Sequence, residues 1–325
     1  MTELGTAPRD WLEVWSAIHA GAFGDLHARA THNVQVDTSL DRIYGRQEWI
    51  AALTAECTGF SLQGVADSVA YAMDSGGLGS SIFVATAVDA LSHGLSMCGS
   101  AAGVPVRMSS AVLGLVADAR IYRAWRFVDH AAVAEALGVD LRTCARSLTL
   151  GASPRGGVPW EYGDVRASVG QWPPPASYDP VAGVPEALHP WVSSLLQRWN
   201  DRQLGPGEAL YARDAQVSRG FAESRRGGSV IDHPWWSLVT ALPDAVLFFE
   251  RGCAAQGPDG GVRLALLWRW IGRHTGVGLD AEPSGHRLHV RGLSHLDLLD
   301  DQITHERIFF DRLGPLADIE RRRPP

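Results

Sequence analysis

"VRMSSAVLGLVADARIYRAWRFVD", Val106–Asp129, can be laid over "LHVRGLSHLDLLDDQITHERIFFD", Leu288–Asp311, without a gap and at a constant offset of 182 residues. Val106, Met108, Val116 and Ile121 fall on Leu288, Val290, Leu298 and Ile303, and Asp118 and Asp129 fall on Asp300 and Asp311. Upstream, Gly103 lies opposite Gly285, and "SHG" at 92–94 lies near "HTG" at 274–276 with a one-residue difference in spacing. Agreement at a fixed offset marks the two halves as copies of one domain.

Each copy has the same coarse plan. Helical periodicity opens it, in "DWLEVWSAIHAGAF" and "ALHPWVSSLLQRWNDRQL". A second helix follows in "RQEWIAALTAEC" and in "HPWWSLVTALP", the latter with Asp232 as N-cap and a proline at an early helical position. Long strands come next: "FSLQGVADSVAYAMD" turns through "SGGLG" into "SSIFVATAVDALS", and "AVLFFERGCA" turns through "QGPDGG" into "VRLALLWRWIG". Two more strands close each copy, meeting at "VADAR" or "LLDDQ". The expected fold is α+β: two cone-shaped α+β barrel domains, each a curved antiparallel sheet wrapped around N-terminal helices. Their expected bounds are 8–148 and 186–320. Residues 149–185 between them are rich in Pro and Gly, and their triple proline can neither continue a helix nor pair in a sheet centre, which reads as a linker lying along a surface.

Composition narrows the function classes. A net charge of -7 argues against nucleic acid as the main partner, since phosphate binding needs Lys and Arg concentrated on one face. There is no apolar run of the ~18 residues a membrane span needs, and "MTELGTAPRDWLEVW" is acidic where a signal peptide is basic, so the expected location is cytoplasmic. Cys57, Cys98, Cys144 and Cys253 show no CxxC spacing, which leaves neither a zinc knuckle nor a disulfide framework in view. His286, His289 and His295 look like metal ligands at first sight, but 286 and 289 differ in parity on a strand and no carboxylate or Cys completes the set; no metal is expected. The sequence has no GxSxG elbow, no GK[ST] phosphate loop and no HExxH, and "GGLGSS" at 76–81 reads as a hairpin turn because strands follow it. Twelve Trp suit filled cores and apolar small-molecule pockets alike.

The second half resembles a SnoaL-like (polyketide cyclase or ester cyclase) domain of the nuclear transport factor 2-like superfamily. The likeness rests on "WRWIGRHTGVGLDAEPSGHRLHVRGLSHLDLLDDQITHERIFFDRLGPL", in which Trp270, His274, Gly276, Pro283, Gly285, Gly292, Ile303 and Asp311 meet the family's pattern in order. The first half is a weaker match, through "YGRQEWIAAL", "SHGLSMCGSAAG" and "ARIYRAWRFVDHAAVAEALG". Where the family commonly has Glu and Trp in the final strand, the second copy has His305 and Arg307 and the first has Arg123 and Trp125.

On a regular strand alternate residues share a face, so Ile303, His305, Arg307, Phe309 and Asp311 are expected to point one way. The resemblance implies that Asp311 is a general base, taking a proton from carbon next to a carbonyl, with His274 and His305 as donors or shuttles. Blander readings stand beside these. Asp311 next to Arg312 equally suits an ion pair or a helix cap, His274 in its Gly-flanked turn equally suits holding backbone, and Arg307 could neutralise Asp311 or bind an anionic ligand. Arg307, Phe309, Trp268 and Trp270 are the expected substrate-binding residues of the second copy. In the first copy they are Asp129, Trp125, Arg123 and His93. Two functions follow. One is a cofactor-independent acid–base enzyme, of cyclase, isomerase or hydrolase type, on a small and mostly apolar molecule. The other is a non-catalytic binding or assembly module. Either suits a monomer whose two copies pack as a pseudo-dimer, or a homodimer.

Overall fold

The computed structural model describes residues 8–74, 79–94, 96–97, 99–149, 158–159, 171–203, 210–222, 224–226 and 234–323. The Asp232 cap, Cys98, positions 76–78 of the glycine turn and linker residues 150–157 and 160–170 lie outside them. The chain divides into two compact units, Met1–Trp160 with Asp311–Pro325, and Glu161–Phe310. The last 15 residues therefore belong to the first unit, whereas the sequence reading ran the second copy on to 320.

Unit 1 begins with α1 (Pro8–His19) and α2 (Gly24–Arg29), then β1 (Ala30–Asp37), β2 (Asp41–Tyr44) and α3 (Arg46–Cys57). Strands β3 (Phe60–Asp74), β4 (Ser80–His93), β5 (Ala102–Ala117) and β6 (Arg120–Val128) follow, then α4 (His130–Ala136), α5 (Leu141–Thr149) and β7 (Val158–Pro159). Unit 2 holds α6 (His189–Asn200), β8 (Tyr211–Arg219), β9 (Arg225–Arg226), α7 (Trp236–Ala241), β10 (Val246–Gln256), β11 (Val262–Arg273), β12 (Arg287–Leu299) and β13 (Gln302–Phe309). The chain ends in α8 (Leu313–Arg321), which packs on α5 in unit 1.

The sheet orders are β3-β4-β5-β6-β1-β2-β7 and β10-β11-β12-β13-β8-β9, so the six strands of the second sheet follow the path of the first six of the other, and β7 is an addition to the first sheet. Both sheets are mixed and not purely antiparallel: β1 pairs with β6, and β8 with β13, in parallel. Each parallel pair is joined only through the rest of its copy, which supplies the long crossover that parallel neighbours need. The duplication extends to local detail. Asp118–Ala119 and Asp300–Asp301 form two-residue hairpin turns with both residues at φ between 48° and 60°, the conformation that matches strand twist. Three residues beyond each turn, Leu115/Val116 pair with Arg123/Ile121 and Asp297/Leu298 pair with His305/Ile303, so Tyr122 and Thr304 are the extra residues of equivalent β-bulges.

Helices cover one face of each sheet. In unit 1, Trp11, Val14, Trp15 and Ile18 of α1 and Trp49 and Leu53 of α3 form one buried cluster with Val34, Val36, Ile82, Val84, Val112 and Ala124. In unit 2 the helix-covered face carries Trp268 and Trp270, whose rings lie 5.7 and 6.0 Å from Trp235, itself 5.1 Å from Trp199 of α6. All four indoles are at most 1% exposed. Gly292 is what lets Trp268 lie flat on β12: a Cβ there would come within 2.3 Å of the indole and 2.4 Å of the Phe309 carbonyl oxygen. From the linker, Trp172 N–H donates to the Asp244 carbonyl and the Ala182 carbonyl accepts from Gly252 N–H of β10, so residues 171–184 run along the edge of unit 2's sheet.

Candidate active site

The bulge at Thr304 changes which residues of β13 face the helices. Ile303, opposite Leu298, points to the covered face, but His305, Arg307 and Phe309, opposite Asp297, His295 and Leu293, point to the other. Alternation carried across an extra residue thus puts Ile303 together with His305 when the fold separates them. Glu306, 1% exposed, takes the covered face instead and accepts a 2.7 Å hydrogen bond from the Tyr211 hydroxyl, under the guanidinium of Arg198. Burial, and then the Glu306 charge, push the Tyr211 hydroxyl well above its ordinary pKa.

The remaining predicted residues of unit 2 are placed as follows. His274 is fully buried in the turn after β11; its Nδ1 lies 3.1 Å from Ser284 Oγ and its backbone bridges His286 and Gly285, so it holds the turn. Burial lowers its pKa, with a backbone hydrogen bond at Gly278 opposing. His305 Nδ1 is 3.4 Å from Thr304 Oγ1, Arg307 lies 5.4 Å over the Phe221 ring and 3.9 Å from Asp297, and Phe309 packs edge-on against Phe221. Trp268 and Trp270 belong to the filled interior. In unit 1, Arg123 stacks 4.9 Å from Trp125 and bonds Asp37 at 2.6 Å, Asp129 caps α4 by accepting from Ala132 N–H, and His93 is exposed at the end of β4.

Asp311 is placed with none of the histidines expected for it. It follows the end of β13, lies in unit 1 and is 1% exposed. Its Oδ2 accepts from His130 Nδ1–H at 2.7 Å and from the Ser39 hydroxyl at 3.2 Å, and its Oδ1 accepts from the backbone N–H groups of Ala131 and Leu313. An ionised carboxylate so placed fixes the His130 tautomer with the proton on Nδ1 and turns Nε2 the other way. That nitrogen is 3.6 Å from Glu56 Oε2. Glu56 in turn makes a two-pronged pair with Arg126, at 2.6 and 2.7 Å. All three side chains are at most 7% exposed.

The electrostatics of this cluster are decided by the pair. Burial by itself pushes the Glu56 carboxyl up, but the charge and hydrogen bonds of Arg126, with those of His130, outweigh it and hold Glu56 well below the usual carboxylate range. Burial likewise pulls Arg126 down and Glu56 more than restores it. Nearby His19, on Thr86 at 3.1 Å, is lowered to about 4 by burial and then by the charge of Arg126. A cleft of about 330 Å³, its open mouth included, is lined by Thr38, Ser39 and Ile43, by Trp49, Leu53 and Glu56 of α3, and by Arg126, Val128 and His130. Its enclosed part has room for about one water molecule.

Sequence reasoning noted His130 only as the neighbour of Asp129, and it missed Glu56 and Arg126. Their partners lie 70 and 181 residues away, and no local pattern carries such a pairing. Among the described residues no group of three or more His, Cys, Asp or Glu is arranged to hold a metal ion, and no helix is long and apolar enough to cross a membrane.

Fold and site define a duplicated α+β protein with a buried Asp–His–Glu–Arg cluster in its first unit. Residues 192–319 match the family model of SnoaL-like polyketide cyclase, so this stretch of the chain is similar to that family, as its motifs suggested. No curated protein sequence matches the chain. Similar solved structures include a SnoaL-like polyketide cyclase from Agrobacterium tumefaciens (19% identity, 41% of this chain and 100% of that one, TM-score 0.32). Others are a candidate polyketide cyclase from Pseudomonas putida (15%, 40% and 98%, 0.35) and AclR, a candidate hydroxylase from Streptomyces galilaeus (15%, 42% and 85%, 0.34).

Proposed function

We propose that the chain is a cofactor-independent acid–base enzyme acting on a small, mostly apolar molecule, with its reacting centre in unit 1. The observation that carries this reading is the 2.7 Å bond between Asp311 and His130 at a cleft with apolar walls. In this reading His130 Nε2 is the base. Asp311 is a positioning residue that holds the ring and stabilises the imidazolium formed when Nε2 takes a proton. Glu56, tied to Arg126, adds a fixed negative charge beside that imidazolium and is itself too acidic to compete for the proton. Family likeness supports the reaction class, cyclase, isomerase or hydrolase, for residues 192–319.

The test is turnover across ketone and ester panels by the wild type, His130→Gln and Asp311→Asn, with circular dichroism to verify folding. A loss of roughly 10²-fold or more in both variants is expected. Undiminished turnover in folded His130→Gln removes His130 as base. A second reading, a non-catalytic module, is favoured by the four indoles that fill the interior of unit 2, where a cone-shaped domain would house a ligand. It predicts no turnover in any panel, and ligand-dependent stabilisation unchanged by either substitution.

A further inference from the structure

We infer that the Glu56–Arg126 pair serves the His130 site and not the fold, with Arg126 the positioning residue that holds the Glu56 carboxylate beside the ring; this rests on the acid–base reading above and deepens it. The chain carries its own control. Arg126 lies opposite Val112 across β6 and β5, and in the second copy that place is taken by Ile308, opposite Ser294 across β13 and β12. On the helices, Trp49, Ala52, Leu53 and Glu56 of unit 1 are buried at the same spacing as Trp235, Leu238, Val239 and Leu242 of unit 2. Where unit 1 buries a glutamate and an arginine, unit 2 therefore buries a leucine and an isoleucine, and the two sheets still share the path of six strands. The repeat also puts Arg312 in the place of His130, so the pair and the ring it serves are missing from the second copy together.

Stability does not account for the two charges. Apolar side chains of similar volume often match or better a buried ion pair, because each charge must leave water before it meets its partner. Unit 2 folds with that apolar solution. What the pair adds in unit 1 is a charge in a chosen place. Both Glu56 oxygens accept from Arg126, at 2.6 and 2.7 Å, and Oε2 lies 3.6 Å from His130 Nε2. Burial alone favours the protonated carboxyl, and Arg126, followed by His130, keeps it ionised. Without Arg126 the carboxyl would take a proton, and of its two carboxylate partners the ring would keep only Asp311. Carboxylates at both ring nitrogens favour the imidazolium that forms when His130 takes a proton, and the two-pronged guanidinium fixes where the second of them points. His19 and Cys57 also lie within reach of the pair's charges. Burial lowers His19 to about 4, and burial, then Glu56, pushes the Cys57 thiol up to about 11, so neither is charged near neutral pH.

The experiment moves the second copy's residues into the full chain, as Glu56→Leu with Arg126→Ile, and compares this double variant with wild type, Arg126→Lys and His130→Gln. Urea denaturation followed by circular dichroism reads the fold. NMR of ¹⁵N-histidine-labelled protein, titrated through the neutral pH range, follows the His130 ring, identified by the signals that His130→Gln loses. Turnover on the ketone and ester panels gives kcat and KM separately. The double variant is expected to fold, with a urea midpoint close to that of the wild type. Its His130 ring gives up its proton at a pH lower by about one unit or more, a tenfold loss of proton affinity on removal of a neighbouring carboxylate. Its kcat falls roughly tenfold or more while KM changes little. Arg126→Lys, which keeps a cation but not the fork, lies between the two. A double variant that fails to fold, that folds with an unshifted ring, or that keeps the wild-type kcat overturns the inference and leaves the acid–base reading to the His130→Gln turnover. Absence of turnover by the wild type on every panel overturns that reading, whatever the titration gives.

Discussion

At the scale of single residues, the cluster around His130 concentrates opposing charges where water is largely excluded. Removing one partner of a buried pair leaves the other charge uncompensated, at a cost of about 3–5 kcal/mol, whereas an apolar replacement of both is often neutral. Glu56→Ala is therefore expected to destabilise unit 1 by that amount in urea denaturation, and Glu56→Leu with Arg126→Met to recover most of it. Equal losses in the single and double variants would mean that packing, not charge, dominates. His19 gives the pH dependence. Its folded pKa of about 4 lies below the ordinary ~6.5. Between these values the unfolded chain binds the proton and the folded one does not, so stability is full above the unfolded value and falls as the pH drops toward 4. The loss amounts to about 2 kcal/mol by pH 5. Urea titrations at pH 7 and pH 5 should show it in the wild type, and His19→Gln should flatten it.

At the scale of elements, α8 shows which contacts hold a helix in place. Leu313, Leu316, Ala317 and Ile319 are at most 2% exposed, while the ion pair from Arg146 to Glu320 has a half-exposed guanidinium. Truncating a buried leucine removes its transfer energy and leaves a cavity, about 2–5 kcal/mol, but an exposed ion pair contributes about 0–1 kcal/mol. Leu316→Ala is expected to lower stability by the larger amount and Arg146→Ala by the smaller, measured by thermal and urea unfolding. Because Asp311 precedes this helix by two residues, Leu316→Ala should also weaken any activity that depends on the Asp311–His130 bond. The bulges at Tyr122 and Thr304 act at the same scale: one extra residue decides that Glu306 and not His305 turns toward the helices.

For the whole molecule, duplication of a path does not imply duplication of a site. Both copies share the order of their six corresponding strands, the same hairpin turn and the same bulge, and both bury tryptophans under their helices, yet unit 1 buries Asp311, His130, Glu56 and Arg126 together where unit 2 buries Glu306 against Tyr211. Asp129 and Asp311 occupy equivalent positions in the two copies and do different work. Asp129 caps α4, its own next helix, while Asp311 binds His130 as well as the start of α8. The family-matched segment, residues 192–319, thus spans most of unit 2 and ends in the part of the chain that completes the unit 1 cluster.

The sequence by itself determined what short-range periodicity can encode: the repeat at an offset of 182, helices followed by long strands, the meeting of the last two strands at "VADAR" and "LLDDQ", and the SnoaL-like motifs. Asp311 was legible as a residue of consequence because it recurs in both copies and meets the SnoaL-like pattern. Its partner was not. Which histidine it meets depends on the passage of the chain from unit 2 into unit 1 at Phe310–Asp311, and on pairings across 70 to 181 residues. Only the tertiary structure decided these, along with the faces of β13. A hydrophobic pattern specifies burial but not which polar groups meet inside, and one unpaired residue in a strand reverses every face assignment beyond it.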